Sequence, residues 1–332
     1  MLISVIIPTF KRGIHLLNCL NSVLQQKKLP FEVIIVDNAE DDQAKKVVDS
    51  LRKKFNDKNI DILFFKNVEN SGATARNLGA LKSKGDLVAF LDDDVILDQN
   101  YYNEIEILFL KNKNTLGVQG FDTGTHEFKE KLEKNIFKKL IYKFEQIFVI
   151  SSLFEKEKSR VLPSLCVTSP YPDFKKIIQS EWISTCAGVF SKKVFEKFRF
   201  DSQFKKYSWN EYLDFSYSIF LENPKSLFVI PNAKYVDVQT EQGRLQPKEL
   251  IYMSEVYDLY IFLKRFDMTF KNIFIYVWSK LGRMIYNIFR IIFRDPKKIF
   301  MIFHYLYAPI YVLINFNKIK EGNLDFFNST LS

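Results

Sequence analysis

Cysteine is scarce in this sequence, with three residues among 332. Cys19, Cys166 and Cys186 are odd in number, lie far apart and lack the spacing of a metal-binding motif. These features exclude a disulfide-stabilised secreted scaffold and favour a reducing compartment, in which the thiols pack in the core.

Long uninterrupted apolar runs are also missing. The best candidate for a membrane span, 299–316, is short for a bilayer and contains His304 and Pro309, while the stretch 272–293 is interrupted by Lys and Arg. The N-terminal stretch 1–8 has no basic lead, so we expect no signal peptide. The sequence therefore predicts a protein on the cytoplasmic side of the membrane.

Acidic residues are outnumbered by basic ones. Lys and Arg total 48 against 39 Asp and Glu, which gives a net charge of +9. This balance predicts an anionic partner, such as phosphates, an anionic membrane surface or nucleic acid. Basic residues interleaved with aromatics occur in RNA-binding proteins, but no RNA-binding motif accompanies them here, so we expect no nucleic acid partner.

Strands and helices alternate along the first hundred residues. Apolar runs predict buried strands at 3–7, 31–36, 61–65 and 87–91, with helices between them. This alternation is typical of an α/β fold with a parallel sheet and right-handed crossovers. Polar clusters follow three of the strands, at Thr9, Asp37 and Asp92, and should meet at one edge of the sheet.

Three carboxylates, Asp92, Asp93 and Asp94, directly follow the strand 87–91. Adjacent carboxylates repel each other, and a hard divalent cation such as Mg²⁺ or Mn²⁺ relieves the repulsion. The alternation of side chains along an extended strand end predicts Asp92 and Asp94 on one face, with Asp93 turned away. The alternative is a solvated acidic turn or a helix N-cap cluster, because Asp is favoured in both.

Four segments resemble the nucleotide-sugar-binding half of the family 2 glycosyltransferases, in that family's order and spacing. The matching segments are 5–12, 33–38 with Asp42, 70–79 and 90–95. The resemblance implies a GT-A fold with a mixed, mainly parallel central sheet. It also implies an inverting glycosyltransferase that uses a nucleotide-diphosphate sugar donor with Mn²⁺ or Mg²⁺.

The resemblance also implies a donor site. Asp37 would contact the nucleotide base, Thr9 would line the same pocket, and Arg76 would lie near the diphosphate. Asp94 would bind the metal directly, with Asp92 nearer the ribose or a metal-bound water. The implied donor-binding residues are Pro8, Thr9, Asp37, Asn38, Asn70, Gly72, Arg76, Asp92, Asp93 and Arg244. Two alternatives stay open. Arg76 could be an ordinary surface arginine, and Arg244 could make no contact with the donor.

An acceptor site is implied in the second half of the domain. Cys186, Ala187 and Gly188 match a small-residue turn under the acceptor sugar, and Trp209 would also bind the acceptor. Cys186 has no base at a recognisable spacing, so a packing role is favoured over a nucleophilic one.

The catalytic base is implied by a Glu-Asp-x-Asp pattern at the start of a helix. Glu211 matches the Glu, Tyr212 replaces the first Asp, and Asp214 matches the second. Inverting transfer needs a carboxylate to accept the proton of the acceptor hydroxyl, so Glu211 or Asp214 is the candidate base. Each also has a purely structural alternative, as a charge in the first helical turn or as a packing contact.

A second departure from the family lies at Asp237, where relatives often have a metal-binding His. A carboxylate is also a competent ligand for a hard cation, so Asp237 is assigned to the metal with Asp92 and Asp94. The predicted domains are 1–245, with a donor-binding half 1–97 and an acceptor half 98–245, and 246–332.

The C-terminal region 246–332 is predicted to be helical and to associate with a membrane. Its aromatic residues are interleaved with Lys and Arg, as in helices that lie in the interface of an anionic bilayer. A spanning helix and a dimerising or core helical bundle are the alternatives. The segment 126–160 is predicted to contain an amphipathic helix that covers the acceptor cleft, lies on a membrane or is an ordinary surface helix.

These features together predict a peripheral enzyme on the inner face of the cell membrane. It would transfer a sugar to a glycan or lipid-linked acceptor in cell-surface polysaccharide synthesis. The alternative is a non-catalytic scaffold that binds a sugar nucleotide or glycan at the membrane, which the departures at Tyr212 and Asp237 keep open. A homo-oligomer is also left open.

Overall fold

The computed structural model describes most of the chain and divides it into two compact units. The described residues are 1–124, 136–150, 153–155, 157–170, 173–238, 240, 242–243 and 245–331. The first unit comprises Met1–Phe128, Lys156–Ser159 and Pro170–Arg244, and the second comprises Lys129–Glu155, Arg160–Ser169 and Leu245–Ser332. The functional division of the first unit into donor and acceptor halves stays a prediction.

Within the described residues, the first unit contains a nine-stranded mixed sheet. Its strands are β1 (Ile3–Thr9), β2 (Glu32–Asp37), β3 (Asp61–Lys66), β4 (Leu87–Phe90), β5 (Val95–Leu97), β6 (Gly117–Asp122), β9 (Ile178–Gln179), β10 (Val189–Ser191) and β11 (Leu227–Asp237). The order is β3-β2-β1-β4-β10-β6-β11-β5, and β9 also pairs with β11. Neighbours from β3 to β4 are parallel, whereas β10 is antiparallel to both β4 and β6. The predicted α/β fold with a mixed, mainly parallel sheet is confirmed.

Helices cover the sheet of the first unit. They are α1 (Gly13–Leu24), α2 (Gln43–Asn56), α3 (Gly72–Lys82), α4 (Tyr101–Lys111), α6 (Val194–Lys197) and α7 (Glu211–Glu222). The apolar faces of α1 and α2 pack in the same core cluster as β1 and β2, which is why their apolar residues recur at helical spacing. Ser71 caps the N-terminus of helix α3, and its side chain accepts a 3.2 Å hydrogen bond from the amide of Thr74.

The last strand of the sheet extends further than its apolar run predicts. We expect a strand over 226–230, but β11 continues through Pro231 to Asp237. Its pairing register with β6 shifts between Val229 and Lys234. Since proline cannot donate to a ladder, this irregularity lets the strand continue past Pro231 and places Asp237 at its end.

The second unit is largely helical. It contains α5 (Ile136–Phe148), α8 (Pro247–Arg265), α9 (Phe270–Arg294), α10 (Met301–Ile314), α11 (Phe316–Lys320) and α12 (Asp325–Asn328). Two further strands, β7 (Leu153–Glu155) and β8 (Thr168–Pro170), pair with each other. A small core contains Ile251, Ile291, Met301 and Ala308 from three of these helices.

A buried ion-pair network joins α8 to α9 in this unit. Asp258 is fully buried and accepts hydrogen bonds from Lys280 at 2.8 Å and from Arg283 at 2.9 Å. Two of the basic residues predicted to face a membrane therefore neutralise a buried carboxylate instead. No helix in the described part of the chain is both long enough and apolar enough to span a bilayer.

Candidate active site

The three consecutive carboxylates lie in a turn rather than on an extended strand end. Strand β4 ends at Phe90, and the amide of Val95 donates a 3.2 Å hydrogen bond to the carbonyl of Asp92. Strand alternation does not apply in a turn, so it does not decide which of the three side chains lie together, and a shared face for Asp92 and Asp94 stays a prediction. Asp93 and Asp94 share one cation, and Asp92 binds another.

The cation shared by Asp93 and Asp94 is Arg12, from the loop after β1. Its Nη1 lies 3.0 Å from Oδ1 of Asp93 and 3.1 Å from Oδ2 of Asp94. Its Nε donates a 2.6 Å hydrogen bond to the carbonyl of Gln242. Sequence reasoning did not assign Arg12 to the site, although its position directly after a strand end was a usable signal.

Burial changes the ionisation of this cluster. Desolvation raises the pKa of Asp93 to about 6, although Arg12 and a 2.6 Å hydrogen bond from Oγ1 of Thr9 both oppose the rise. The pKa of Asp94 is also raised, by burial and by the negative charge of Asp92. Burial therefore disfavours the charged forms of Asp93 and Asp94, and the positive charge of Arg12 offsets part of this effect.

Arg76 is a buried residue of α3 that joins the two predicted halves of the site. Its Nη2 donates a 2.6 Å hydrogen bond to Asp92, and its Nη1 donates one of 2.6 Å to Glu211. Its side chain is 8% exposed, so it is not a surface arginine. Gly72 leaves room for this guanidinium, because a Cβ built there would lie 3.0 Å from Nη1.

The two candidate bases lie in the first turn of α7, and both are buried. Desolvation raises the pKa of Glu211 to about 7, with the negative charge of Asp92 adding to the rise and Arg76 opposing it. Asp214 is 1% exposed. Glu211 thus faces the acidic cluster through Arg76 and has a pKa suited to proton transfer near neutral pH.

Asp37 lies at the carboxyl end of β2 and is fully buried. Its carboxylate accepts hydrogen bonds from Nζ of Lys66 at 2.8 Å and from the amide of Ala39 at 3.0 Å. Lys66, at the end of the neighbouring strand β3, was not predicted as a site residue. It places a partly exposed ammonium at the predicted base pocket, because its side chain is 41% exposed.

Asn38 ties the end of β2 to the start of α3, and Asn70 ties the same segment to Lys206. Oδ1 of Asn38 accepts hydrogen bonds from Nδ2 of Asn67 at 2.8 Å and from the amide of Ser71 at 3.3 Å. The carbonyl of Asn70 accepts one of 2.7 Å from the amide of Lys206. These two residues therefore shape the backbone around the predicted donor site, while Pro8 and Thr9 lie beside it at the end of β1.

The segment Cys186–Gly188 runs alongside the end of β4 and the acidic turn. The carbonyl of Cys186 accepts a 2.9 Å hydrogen bond from the amide of Asp92, and that of Gly188 accepts one of 2.8 Å from the amide of Phe90. The carbonyl of Ala187 accepts a hydrogen bond from the hydroxyl of Tyr101. Burial raises the pKa of the Cys186 thiol well above its usual value, which disfavours a thiolate nucleophile. Trp209 is half-buried just before α7.

Asp237 is brought to the acidic turn by strand pairing. It lies opposite Val95 in the antiparallel pair of β11 and β5, and the amide of its neighbour Val238 donates a 3.1 Å hydrogen bond to the carbonyl of Asp94. Arg244 lies outside the described residues.

The donors near this turn are the hard oxygens that Mg²⁺ and Mn²⁺ prefer, so their chemistry fits the implied metal. In the described portion of the chain, however, no three side chains of His, Cys, Asp or Glu are arranged to hold an ion together. The guanidinium of Arg12 lies between Asp93 and Asp94 and neutralises the negative charge that a metal ion would otherwise neutralise.

Comparison of the sequence identifies a family model for the N-terminal part. Residues 4–159 match the model described as glycosyl transferase family 2. The glycosyltransferase AglE of Haloferax volcanii is 36% identical over 94 residues, which are 28% of this chain and 30% of AglE. The poly(ribitol-phosphate) beta-N-acetylglucosaminyltransferase TarS of Staphylococcus aureus is 29% identical over 143 residues, 39% of this chain and 24% of TarS.

The chain spans only a minor part of the length of the curated relatives that it matches. It covers 15% of a Rickettsia bellii glycosyltransferase and 36% of a Haemophilus influenzae glycosyltransferase.

Solved structures extend the similarity to nearly the whole chain. S. aureus TarS 1-349 in complex with UDP-GlcNAc has a TM-score of 0.52 and 13% identity, covering 100% of this chain and 82% of that one. The mannosyltransferase PcManGT from Pyrobaculum calidifontis, in complex with GDP-Man and Mn²⁺, has a TM-score of 0.53 and 12% identity, covering 94% and 86%. At these identities the likeness shows the fold, which is GT-A.

Proposed function

We propose that this chain, whose residues 4–159 match the model of glycosyl transferase family 2, is a glycosyltransferase. It would transfer a sugar from a nucleotide-diphosphate donor to a glycan or lipid-linked acceptor, with inversion at the anomeric carbon. The observation that carries the proposal is the double contact of Arg76. It joins Asp92 of the predicted donor site to Glu211, the predicted base, at 2.6 Å each. The two parts of a transfer site thus meet through one buried guanidinium.

The donor half recognises the nucleotide and the diphosphate. Asp37 would accept hydrogen bonds from a base, since a carboxylate suits the imide of uracil and the imino and amino groups of guanine. The guanidinium groups of Arg12 and Arg76 lie at the acidic turn, where diphosphate oxygens would approach. Relatives of this fold were solved with UDP-GlcNAc and with GDP-Man, which supports a nucleotide-sugar donor of either base.

A divalent cation is proposed as part of donor binding. Asp94 and Asp92 would hold it, with Asp237 supplying a further carboxylate. When bound, Mg²⁺ or Mn²⁺ neutralises charge on a leaving diphosphate. The complex of PcManGT with Mn²⁺ supports this proposal.

Glu211 is proposed to accept the proton of the acceptor hydroxyl as that oxygen attacks the anomeric carbon. A carboxylate whose pKa is raised to about 7 is basic enough to take a proton near neutral pH. Asp214, in the same first turn of α7, is the alternative base. Cys186, Ala187, Gly188 and Trp209 would line the acceptor side.

Cell-surface polysaccharide synthesis is the proposed setting, with the enzyme on the inner face of the cell membrane. The named activity of TarS, transfer of N-acetylglucosamine to a poly(ribitol-phosphate), supports a polymeric or lipid-linked acceptor.

The proposal is tested by thermal unfolding with a panel of sugar nucleotides, with and without Mn²⁺, followed by a transfer assay with the donor that binds. Ligand that binds only the folded protein raises its unfolding temperature. We expect one donor to give a Mn²⁺-dependent rise that Asp94→Ala abolishes, and Glu211→Gln to bind that donor without transferring it. No shift with any donor would contradict the assignment of the donor site. Donor binding with no transfer to any acceptor would favour the non-catalytic scaffold.

A further inference from the structure

Helix α9 carries an exposed apolar stripe along most of its length. Phe270, Phe274, Val277 and Leu281 follow one another at steps of four, three and four residues, so they lie on one side of the helix. They are 86%, 55%, 58% and 40% exposed, respectively. Ile292, which is 47% exposed, continues the same side eleven residues after Leu281. We call this row of five residues the α9 stripe.

The opposite side of α9 is fixed to the rest of its unit. Its buried residues are Tyr276, Ser279, Gly282 and Ile291. Lys280 and Arg283 from the same turns bind the buried carboxylate of Asp258. The helix therefore cannot rotate to bury the stripe without breaking this network.

Helix α10 presents a second exposed apolar row. Phe303, Leu306, Ile310 and Leu313 recur at steps of three and four residues and are between 48% and 70% exposed. Isolated exposed apolar residues are normal in soluble proteins, but two contiguous rows on consecutive helices mark an interaction surface.

The surroundings of these rows are strongly basic. The segment 270–300 contains seven lysines and arginines and one acidic residue, Asp295. Five basic residues remain when Lys280 and Arg283, which pair with the buried Asp258, are set aside. Lys271 lies beside the start of the α9 stripe, and Lys297 lies in the connection to α10; both are exposed. An apolar surface bordered by positive charge fits a partner that is apolar inside and anionic outside.

We propose that the α9 stripe and the apolar row of α10 dock on an anionic lipid surface, with α9 lying along the plane of the bilayer. Aromatic and aliphatic side chains would enter the boundary between headgroups and acyl chains, while the lysines contact anionic headgroups. The proposal does not depend on the sugar-transfer chemistry.

A second copy of the chain fits this surface less well. In a twofold dimer the same patch meets itself, so the exposed lysines that border it, such as Lys271 and Lys297, would face an equally basic segment. An anionic bilayer offers the opposite charge to the same residues. Charge complementarity therefore favours lipid over self-association.

Vesicle flotation of the full chain tests the proposal. We expect binding to vesicles of phosphatidylcholine and phosphatidylglycerol in equal parts, with at least tenfold weaker binding to phosphatidylcholine alone. The triple variant F270S/F274S/V277S should lose at least tenfold in partition to the anionic vesicles. The matched control is I14S/L81S, which removes apolar side chains that are 73% and 74% exposed in the first unit and should bind as the wild type does.

A charge variant tests the electrostatic half separately. K271Q/K297Q should weaken binding to anionic vesicles by about fivefold per charge removed and leave the weak binding to phosphatidylcholine unchanged. Because these side chains are exposed, this variant remains informative should the triple variant fail to fold. Equal binding to both vesicle types, or a stripe variant that binds as the wild type, would overturn the proposal. A third result would also overturn it. In that case light scattering without lipid would show a wild-type dimer and a monomeric triple variant, and the wild type would not bind vesicles.

Discussion

Nη1 of Arg76 donates a 2.6 Å hydrogen bond to Oε1 of Glu211, a residue 135 positions further along the chain. The second nitrogen of the same guanidinium binds Asp92 at the acidic turn. One buried cation thus compensates two carboxylates from different predicted halves of the site. Its removal leaves both without that partner, and the resulting effects are measurable.

The variant Arg76→Ala should be both unstable and inactive. Removing one partner of a buried ion pair leaves an uncompensated charge, which costs about 3–5 kcal/mol. Urea unfolding measures this loss, and the transfer assay should show at least a hundredfold fall. Arg52→Ala is the control, because Arg52 is 47% exposed and its carboxylate partner Asp49, in the same helix, is exposed. Its other hydrogen bond goes to the neutral carbonyl of Ile62. Equal stability of the two variants would contradict the burial argument.

The pH dependence of transfer should follow Glu211. Its pKa is raised to about 7, and a protonated carboxyl cannot accept the acceptor's proton, so kcat/KM should fall as the pH drops below about 7. Arg76 lowers this pKa, so the profile of a folded Arg76→Met variant should shift to higher pH. Glu211→Gln should show little activity at any pH. A wild-type profile that is flat between pH 5 and 8 would rule out Glu211 as the base.

Asp37→Asn should weaken nucleotide binding by at least tenfold, because the amide cannot accept hydrogen bonds as a carboxylate does at both oxygens. Isothermal titration with UDP and GDP measures the change. Asp49→Asn is the matched control, since Asp49 is 52% exposed on α2. The same Kd for both variants would remove Asp37 from the donor site.

Arg12→Gln should raise the affinity for Mn²⁺ in the absence of nucleotide. The guanidinium sits 3.0 Å from Asp93 and 3.1 Å from Asp94, so it competes with a metal for the same negative charge. Paramagnetic resonance of free Mn²⁺ gives the affinity without any turnover. Lys11→Gln removes a neighbouring charge and should leave the affinity nearly unchanged. Weaker Mn²⁺ binding in Arg12→Gln would mean that Arg12 organises the carboxylates for the ion.

Gly188→Ala should destabilise the first unit by about 1–3 kcal/mol. An added Cβ would lie 2.3 Å from the carbonyl oxygen of Ser184, which is backbone and cannot move aside easily. Chemical denaturation gives the value. Gly13→Ala is the control, because the nearest atom to its added Cβ is 3.6 Å away. If Gly188→Ala loses no more unfolding free energy than Gly13→Ala, the backbone around Gly188 relaxes to accommodate the added Cβ.

The local elements of the first hundred residues followed from the sequence. The apolar runs at 3–7 and 87–91 became β1 and β4, since a strand buried on both faces needs unbroken apolar residues. The irregular regions were harder to predict from the sequence. The extension of β11 through Pro231 depends on a register shift against β6, and a shift of pairing leaves no trace in the sequence of one strand.

The sequence by itself determined the parallel arrangement of β1 to β4, the acidic cluster and the amphipathic spacing of α9. Each of these features depends on residues that are adjacent or recur at a fixed spacing. Only the tertiary structure decided which charges meet. Arg12 and Asp93 are 81 positions apart, and Arg76 and Glu211 are 135. Such pairs form because chain segments fold back onto one sheet edge, where buried carboxylates need the nearest cation, and no local pattern records which cation that is.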